Sequence, residues 1–293
     1  MSKKKTRFLF RMRKDYMMNY KITKAIIPVA GYGTRRLPIT KAIEKCMLPI
    51  GNRPIIDYVV QDCIAAGITQ IYFVTSPRAD QLKSFYGHNI EFEKFLKSRG
   101  KTDMLPLVSP LDGIEFFYCT QTNPNGNATA VAIAIEQFNI NEEVLIAMGD
   151  DLFYRPDGSS EVADLVARHQ PGSITLLGAP IDKNDKRKSG FLELDDDNKL
   201  IRIAEAVTID EAPSNLINVN RYIVPPEFLQ KVVDYSKSET IEPEYYITTV
   251  PFDNFIRGGG VVHVVPAHGE YLDGGSLEGW LHANEIIGRD LLK

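Results

Sequence analysis

Apolar and polar positions follow two rhythms along this chain. Short apolar runs read as buried strands at residues 25–30, 70–75, 114–119, 144–148 and 174–178. Between them, residues 55–66, 129–138 and 162–169 repeat apolar positions every three to four residues, as helices packed on a sheet do. Strands alternating with helices predict an α/β, Rossmann-like fold with a mostly parallel sheet and helices on both faces. After about residue 180 the texture changes. Residues 182–189 are polar and charged, and the runs 191–194 and 200–205 flank Asp195-Asp196-Asp197-Asn198, which reads as a hairpin turn. A strand at 217–224 stops at Pro225-Pro226, and a helix-like stretch at 244–257 is expected to kink or break at Pro251. A last strand at 261–265 and a C-terminal helix at 277–292, with Trp280 in its core face, complete the pattern. No repeat or low-complexity linker interrupts it. The expectation is one domain over 21–293, with a first half to about 180 and a smaller, β-containing lobe from about 181.

Composition narrows this picture little. At 293 residues, with 44% hydrophobic and 25% charged positions, the chain can bury a sizeable core. A net charge of −4 gives no reason to expect nucleic acid as a partner. Cys46, Cys63 and Cys119 are widely spaced and suggest neither a disulfide framework nor a zinc site, which makes a reducing cytoplasm the expected compartment. No apolar run reaches the length of a membrane span. Residues 1–20 are basic (Lys3, Lys4, Lys5, Arg7, Arg11, Arg13, Lys14), but their apolar pieces are too short for a secretory signal. They read as a disordered tail or a start-site extension. The five histidines, His88, His169, His263, His268 and His282, show no metal spacing and read as structural or exposed.

Candidate chemistry begins where the first strand ends. Ala30 is followed by Gly31-Tyr32-Gly33-Thr34-Arg35, and Arg35, Arg36, Lys41 and Lys45 fall within eleven positions. Glycines after a strand let backbone N–H groups approach phosphate oxygens, and fixed cations neutralise a polyphosphate. The dinucleotide fingerprint would need a third glycine at Arg36, and the P-loop pattern is absent, so neither common glycine loop applies. At the end of another apolar run stands Gly149-Asp150-Asp151, and paired carboxylates there are hard oxygen ligands suited to Mg²⁺ on a nucleotide. The loop and the carboxylates together point to nucleotide handling.

The spaced set Gly31-x-Gly33-Thr34-Arg35-x-Leu37-Pro38-x-Thr40-Lys41-Ala42-Ile43-x-Lys45-x-Met47-Leu48-Pro49 resembles the signature of bacterial UTP–glucose-1-phosphate uridylyltransferases. These are UDP-glucose pyrophosphorylases within the wider sugar-phosphate nucleotidyltransferase family. The resemblance runs, more weakly, from about residue 22 to 290. It implies Mg²⁺-dependent uridylyl transfer from UTP to glucose 1-phosphate, with no nucleic acid or membrane partner. It also implies a homo-oligomer, dimer or tetramer. Arg35, Lys45 and Asp150 take the catalytic positions, with Asp150 and Asp273 (in Tyr271-Leu272-Asp273-Gly274-Gly275-Ser276) on the metal. Ala30, Gly31, Gly33, Thr34, Gln121 and Gly126 would meet the nucleotide, Gln121 reading the base, and Gly149, Gly190 and Glu205 would meet the sugar.

Several positions depart from the family. Its sugar-side glutamate is followed by Lys-Pro, the lysine reaching the phosphates, whereas this chain has Glu205-Ala206-Val207. Thr129 stands where a histidine is frequent, Cys46 replaces the glutamate of P-K-E-M-L-P, and Glu244-Tyr245-Tyr246-Ile247-Thr248-Thr249 lacks the family's Gln and Asp. Lys186, Arg187 or Lys188 could replace the missing cation. Another sugar 1-phosphate, dTTP, or a catalytically impaired nucleotide-sugar-binding paralogue stay open as alternatives at this point.

Overall fold

The computed structural model describes residues 21–185, 187–238 and 244–292. The basic segment 1–20 and Lys186 lie outside the described residues. The chain opens with β1 (Lys24–Val29), a short hairpin β2 (Pro49–Ile50) and β3 (Arg53–Pro54), then α1 (Ile55–Ala65). Next come β4 (Gln70–Thr75), α2 (Asp80–Tyr86), α3 (Ile90–Ser98), β5 (Glu115–Thr120) and α4 (Asn127–Phe138). They are followed by β6 (Val144–Ala147), β7 (Asp151–Tyr154), α5 (Glu161–Arg168) and β8 (Ile174–Pro180). The second half holds β9 (Ser189–Leu194), β10 (Leu200–Val207), β11 (Leu216–Val224), α6 (Pro226–Ser236) and α7 (Val250–Arg257). It closes with β12 (Val262–Pro266), β13 (Glu270–Asp273) and α8 (Leu277–Leu291).

One nine-stranded sheet runs β10-β9-β11-β6-β1-β4-β5, with β8 also on β11 and β12 on β8. The strands β6, β1, β4 and β5 are mutually parallel, and β12 is parallel to β8. The strand β11 enters antiparallel to β6, so the second half of the chain shares the sheet of the first. Alternate residues of β1 serve opposite faces, as strand geometry demands. Ile26 joins a core under α4, α6 and α7, whereas Ala25 and Ile27 join the core under α1 and α5. Burial on both faces is why this strand reads as a continuous apolar run. A third, smaller core of Leu48, Ile50, Ile55, Leu152, Leu272, Ala283 and Ile287 fastens α8 and the β13–β7 pair beside the end of β1.

Two expectations change. The stretch 244–257 is not a kinked helix, because α7 begins at Val250 and Pro251 sits in its first turn, where a missing N–H costs nothing. Residues 244–249 form a loop instead. Trp280 is only partly buried, with Nε1 donating to the Pro49 carbonyl at 2.8 Å and the Arg36 guanidinium 4.8 Å above its ring.

Among the described residues, Arg221 on β11 is the largest fully buried side chain. Its Nη1 donates to Asp62 Oδ2 of α1 at 2.7 Å, its Nη2 to the Asp151 carbonyl at 2.7 Å, and its guanidinium lies 5.2 Å from the Phe153 ring centroid. Removing one partner of such a pair strands the other charge. Arg221→Ala is expected to lower unfolding stability by about 3–5 kcal/mol, read as a lower urea midpoint, and an unchanged midpoint would refute this role.

Candidate active site

The loop after β1 is built by short turns. Gly33, with φ of 64°, caps a single 3₁₀ turn at Thr34–Arg36, and the Thr40 hydroxyl donates to its carbonyl at 2.8 Å. Nothing lies within 4 Å of the point where a Gly31 side chain would begin. Arg35 is exposed, while Arg36 turns inward and donates through Nη1 to the Ser276 carbonyl at 2.7 Å. One arginine of the pair is thus offered to solvent, and the other ties this loop to the start of α8.

Lys45 reaches back across the loop and donates through Nζ to Asp150 Oδ2. Burial pulls its ammonium toward neutrality, but the Asp150 charge and hydrogen bond outweigh this and hold its pKa above the ordinary lysine value. Asp273 Oδ1 accepts from the backbone N–H groups of Gly275 at 2.8 Å and Ser276 at 3.3 Å. Gly275 lies at the centre of the cluster. A Cβ there would lie 2.7 Å from Asp150 Oδ2, 2.9 Å from Lys45 Nζ and 3.0 Å from Asp273 Oδ1, so only glycine leaves the three groups this close. The pairing of β7 with β13 sets Asp151 opposite Asp273. Burial, then the neighbouring Asp150, raises the Asp151 carboxyl to about 7, although the Tyr271 hydroxyl donates to it at 2.6 Å. Burial and the same carboxylate push the Tyr271 phenol well above its usual value, so it stays a donor.

A cleft of about 310 Å³ opens beside this cluster, lined by Ala30, Gly31, Lys45, Gln121, Gly126, Asn127, Gly149, Asp150 and Tyr246 among others. Gln121 is buried at its wall, with Nε2 donating to Asn125 Oδ1 and the Gly126 carbonyl, each at 3.2 Å. Gly126 has φ of 109°, and a Cβ there would collide with the Tyr245 carbonyl oxygen, so this turn admits no side chain. A second cavity, of about 370 Å³, is lined by Asn127, Gly190, Glu205, Asn218, Asn220, Tyr246, Thr248 and Thr249. The two share Asn127 and Tyr246. Desolvation raises the Glu205 carboxyl despite a hydrogen bond from Thr248.

The model of the nucleotidyl transferase family matches residues 24–288. The chain is 30% identical over 267 residues to a UTP–glucose-1-phosphate uridylyltransferase 1 of Staphylococcus saprophyticus, covering 89% of this chain and 91% of that one. It belongs to the nucleotidyl transferase family. The structure of a UTP-bound UGPase from Acinetobacter baumannii superposes with a TM-score of 0.81 at 25% identity, over 92% of this chain and 94% of the other. A UDP-glucose pyrophosphorylase complexed with UDP-glucose gives a TM-score of 0.74 at 25% identity, over 92% and 99%.

Within this nucleotidyl transferase, the residues expected at the site divide between the two cavities. Ala30, Gly31, Gln121, Gly126, Lys45 and Asp150 line the first, and Gly190 and Glu205 line the second. Gly33, Thr34 and Arg35 stand on the adjoining loop, and Asp273 beside Asp150. Gly149, expected at the sugar, lies in the first cavity, where a Cβ would collide with Val29 Cγ1, so packing already requires a glycine there. Asn127, Asn218, Asn220, Tyr246, Thr248 and Thr249 were not anticipated. The sequence did carry a signal for two of them, since asparagine is unusual in strands, and Asn218 and Asn220 stand where β11 turns irregular, Asn220 with φ of 49°. Away from the cavities, Glu161, Asp164 and His268 gather ligand-type atoms within 4.8 Å. Arg155 already bridges the first two at 3.4 and 2.7 Å, which answers their charge without a metal. Among the described residues, no helix is long and apolar enough to cross a membrane.

Gly275→Ala tests the convergence. The added methyl is expected to weaken nucleotide binding at least ten-fold, roughly the effect of displacing one charge-assisted contact, with little change in melting temperature. Unaltered affinity in calorimetry would show that the three groups do not act together.

Proposed function

We propose that this protein transfers a uridylyl group from UTP to glucose 1-phosphate, giving UDP-glucose and pyrophosphate. The observation that carries the reading is the meeting of Lys45, Asp150 and Asp273 around Gly275, at a cleft that shares the walls Asn127 and Tyr246 with a second, sugar-sized cavity. In this reaction a phosphate oxygen of glucose 1-phosphate attacks the α-phosphorus of UTP, and the bond to the departing pyrophosphate breaks. Such chemistry needs positioning and charge stabilisation more than a protein nucleophile.

The chain's own groups supply both. Lys45 is held protonated by Asp150 and so offers a fixed positive charge at the α-phosphate. Arg35, exposed on the loop, neutralises the departing pyrophosphate, and the N–H groups of Gly31 to Thr34 face the β- and γ-phosphates. Gln121 spends its N–H donors on its own loop, which leaves the carbonyl oxygen to accept from the imide N–H of uracil. Cytosine has an acceptor at that ring position and would be repelled. Glu205, with Gly190 making room for its carboxylate, accepts hydroxyls of the hexose.

Asp150 and Asp273 present hard carboxylate oxygens close together, a donor set that fits a divalent cation, in our reading Mg²⁺. Held by Asp150 and Asp273, Mg²⁺ would offset the negative charge of the phosphates. The three cysteines are free and buried, and burial raises the Cys63 thiol to about 12 and that of Cys119 to about 11. Inert thiols of this kind support a reducing compartment such as the cytoplasm. A homo-oligomer, dimer or tetramer, is part of the same proposal and is checked by light scattering.

The deciding assay is pyrophosphate release with UTP, glucose 1-phosphate and Mg²⁺, compared with dTTP and with other hexose 1-phosphates. No release from the UTP and glucose 1-phosphate pair would overturn the reading. Lys45→Ala is expected to lower kcat by roughly 100- to 1,000-fold, far beyond its effect on melting temperature. Equal losses of both would make the lysine structural. Asp150→Asn should remove most activity and the dependence on Mg²⁺, and an unchanged Mg²⁺ titration would refute its role as a ligand.

A further inference from the structure

The second cavity has a charge problem. A sugar 1-phosphate brings a phosphate dianion, yet none of the described residues lining that cavity is cationic, and Glu205 adds a negative charge. Lys45 is already engaged by Asp150 on the nucleotide side. Ala206 follows Glu205 in an irregular part of β10, where the register against β9 shifts between Ala204 and Val207 and Ala206 takes φ of 57°. Its methyl group can bind no phosphate.

A cation does stand three residues before Gly190, which lines that cavity. Val207 pairs with Ser189 at the start of β9, and Arg187 precedes that residue by two. Asp185 fixes this arginine closely. Its Oδ1 accepts the Arg187 backbone N–H at 2.9 Å, and its carboxylate takes Nε at 3.0 Å and Nη2 at 2.6 Å. One edge of the guanidinium is thereby held, and the remaining nitrogen, Nη1, faces Asp273 Oδ2 at 3.9 Å. At that separation the pair attracts without a hydrogen bond, so the Nη1 hydrogens stay free to donate. A planar fork locked by a neighbouring carboxylate suits a phosphate better than a free lysine does, because less side-chain motion is lost on binding.

We infer that Arg187 is the phosphate-binding cation on the sugar side of this protein, held in place by Asp185 and standing in for a lysine at position 206. The inference rests on the proposed uridylyl transfer. It adds a residue whose role no spacing rule shows, since the loop brings it to Asp273 from 86 positions away.

The experiment combines kinetics with binding in the full-length protein. Arg187→Ala is expected to lower kcat/KM for glucose 1-phosphate about ten- to a hundred-fold, the effect of losing one charge-assisted hydrogen bond, and to weaken UDP-glucose binding in calorimetry by a similar factor. Arg187→Lys should recover part of the loss. Ala206→Lys should restore activity in the Arg187→Ala background but not raise it in the wild type, where two cations would crowd one phosphate. Position 206 already carries a Cβ in the left-handed conformation, so the lysine adds no new class of backbone strain. A wild type that turns over while Arg187→Ala matches it in kcat/KM and UDP-glucose affinity would overturn the inference and leave the proposed function standing. A wild type that binds UDP-glucose without releasing pyrophosphate, and loses affinity in Arg187→Ala, would overturn the function and support the arginine. Absence of both binding and turnover would overturn both.

Discussion

The guanidinium of Arg221 carries its charge where water does not reach, and the centre of the molecule is arranged to answer it. Asp62 on α1 supplies the counter-charge and the Asp151 carbonyl a second acceptor. The Ser160 hydroxyl, at the start of α5, donates to the same aspartate. A buried charge without its partner costs several kcal/mol, so these elements cannot drift apart independently. The strand β7 is therefore fixed from behind, one residue away from Asp150. The site's carboxylates take their positions from a structural ion pair that touches neither cavity.

The same electrostatics explain the distribution of roles among the acidic residues. Asp150, Asp151 and Asp273 lie close enough that three full negative charges would repel one another strongly. Lys45 answers Asp150, backbone N–H groups answer Asp273, and burial pushes Asp151 toward its protonated form. Asp150 lines the cleft, whereas Asp151 hydrogen-bonds to Tyr271 and serves the β7–β13 pairing.

Elements whose cause is local were legible in the sequence. The run at 70–75 is a strand with those limits, the helix at 55–66 differs by one residue, and Asn198 turns the hairpin after the three aspartates with φ of 58°. Periodicity of burial and turn chemistry act between neighbours, so the order of residues suffices to reveal them. The glycine and basic loop after β1 and the Asp150-Asp151 pair were legible for the same reason. Bare backbone or paired carboxylates at the end of a buried strand put polar groups where an open sheet binds its ligands. What only the tertiary structure decided is which distant groups meet. Arg36 binds the Ser276 carbonyl across 240 positions, β13 pairs with β7 across more than a hundred, and residues 244–249 leave the helical pattern to close over Gly126 and wall the second cavity. No local propensity encodes such meetings. They follow from packing three cores at once and from satisfying every buried charge and hydrogen bond, conditions that exist only when the whole chain is folded.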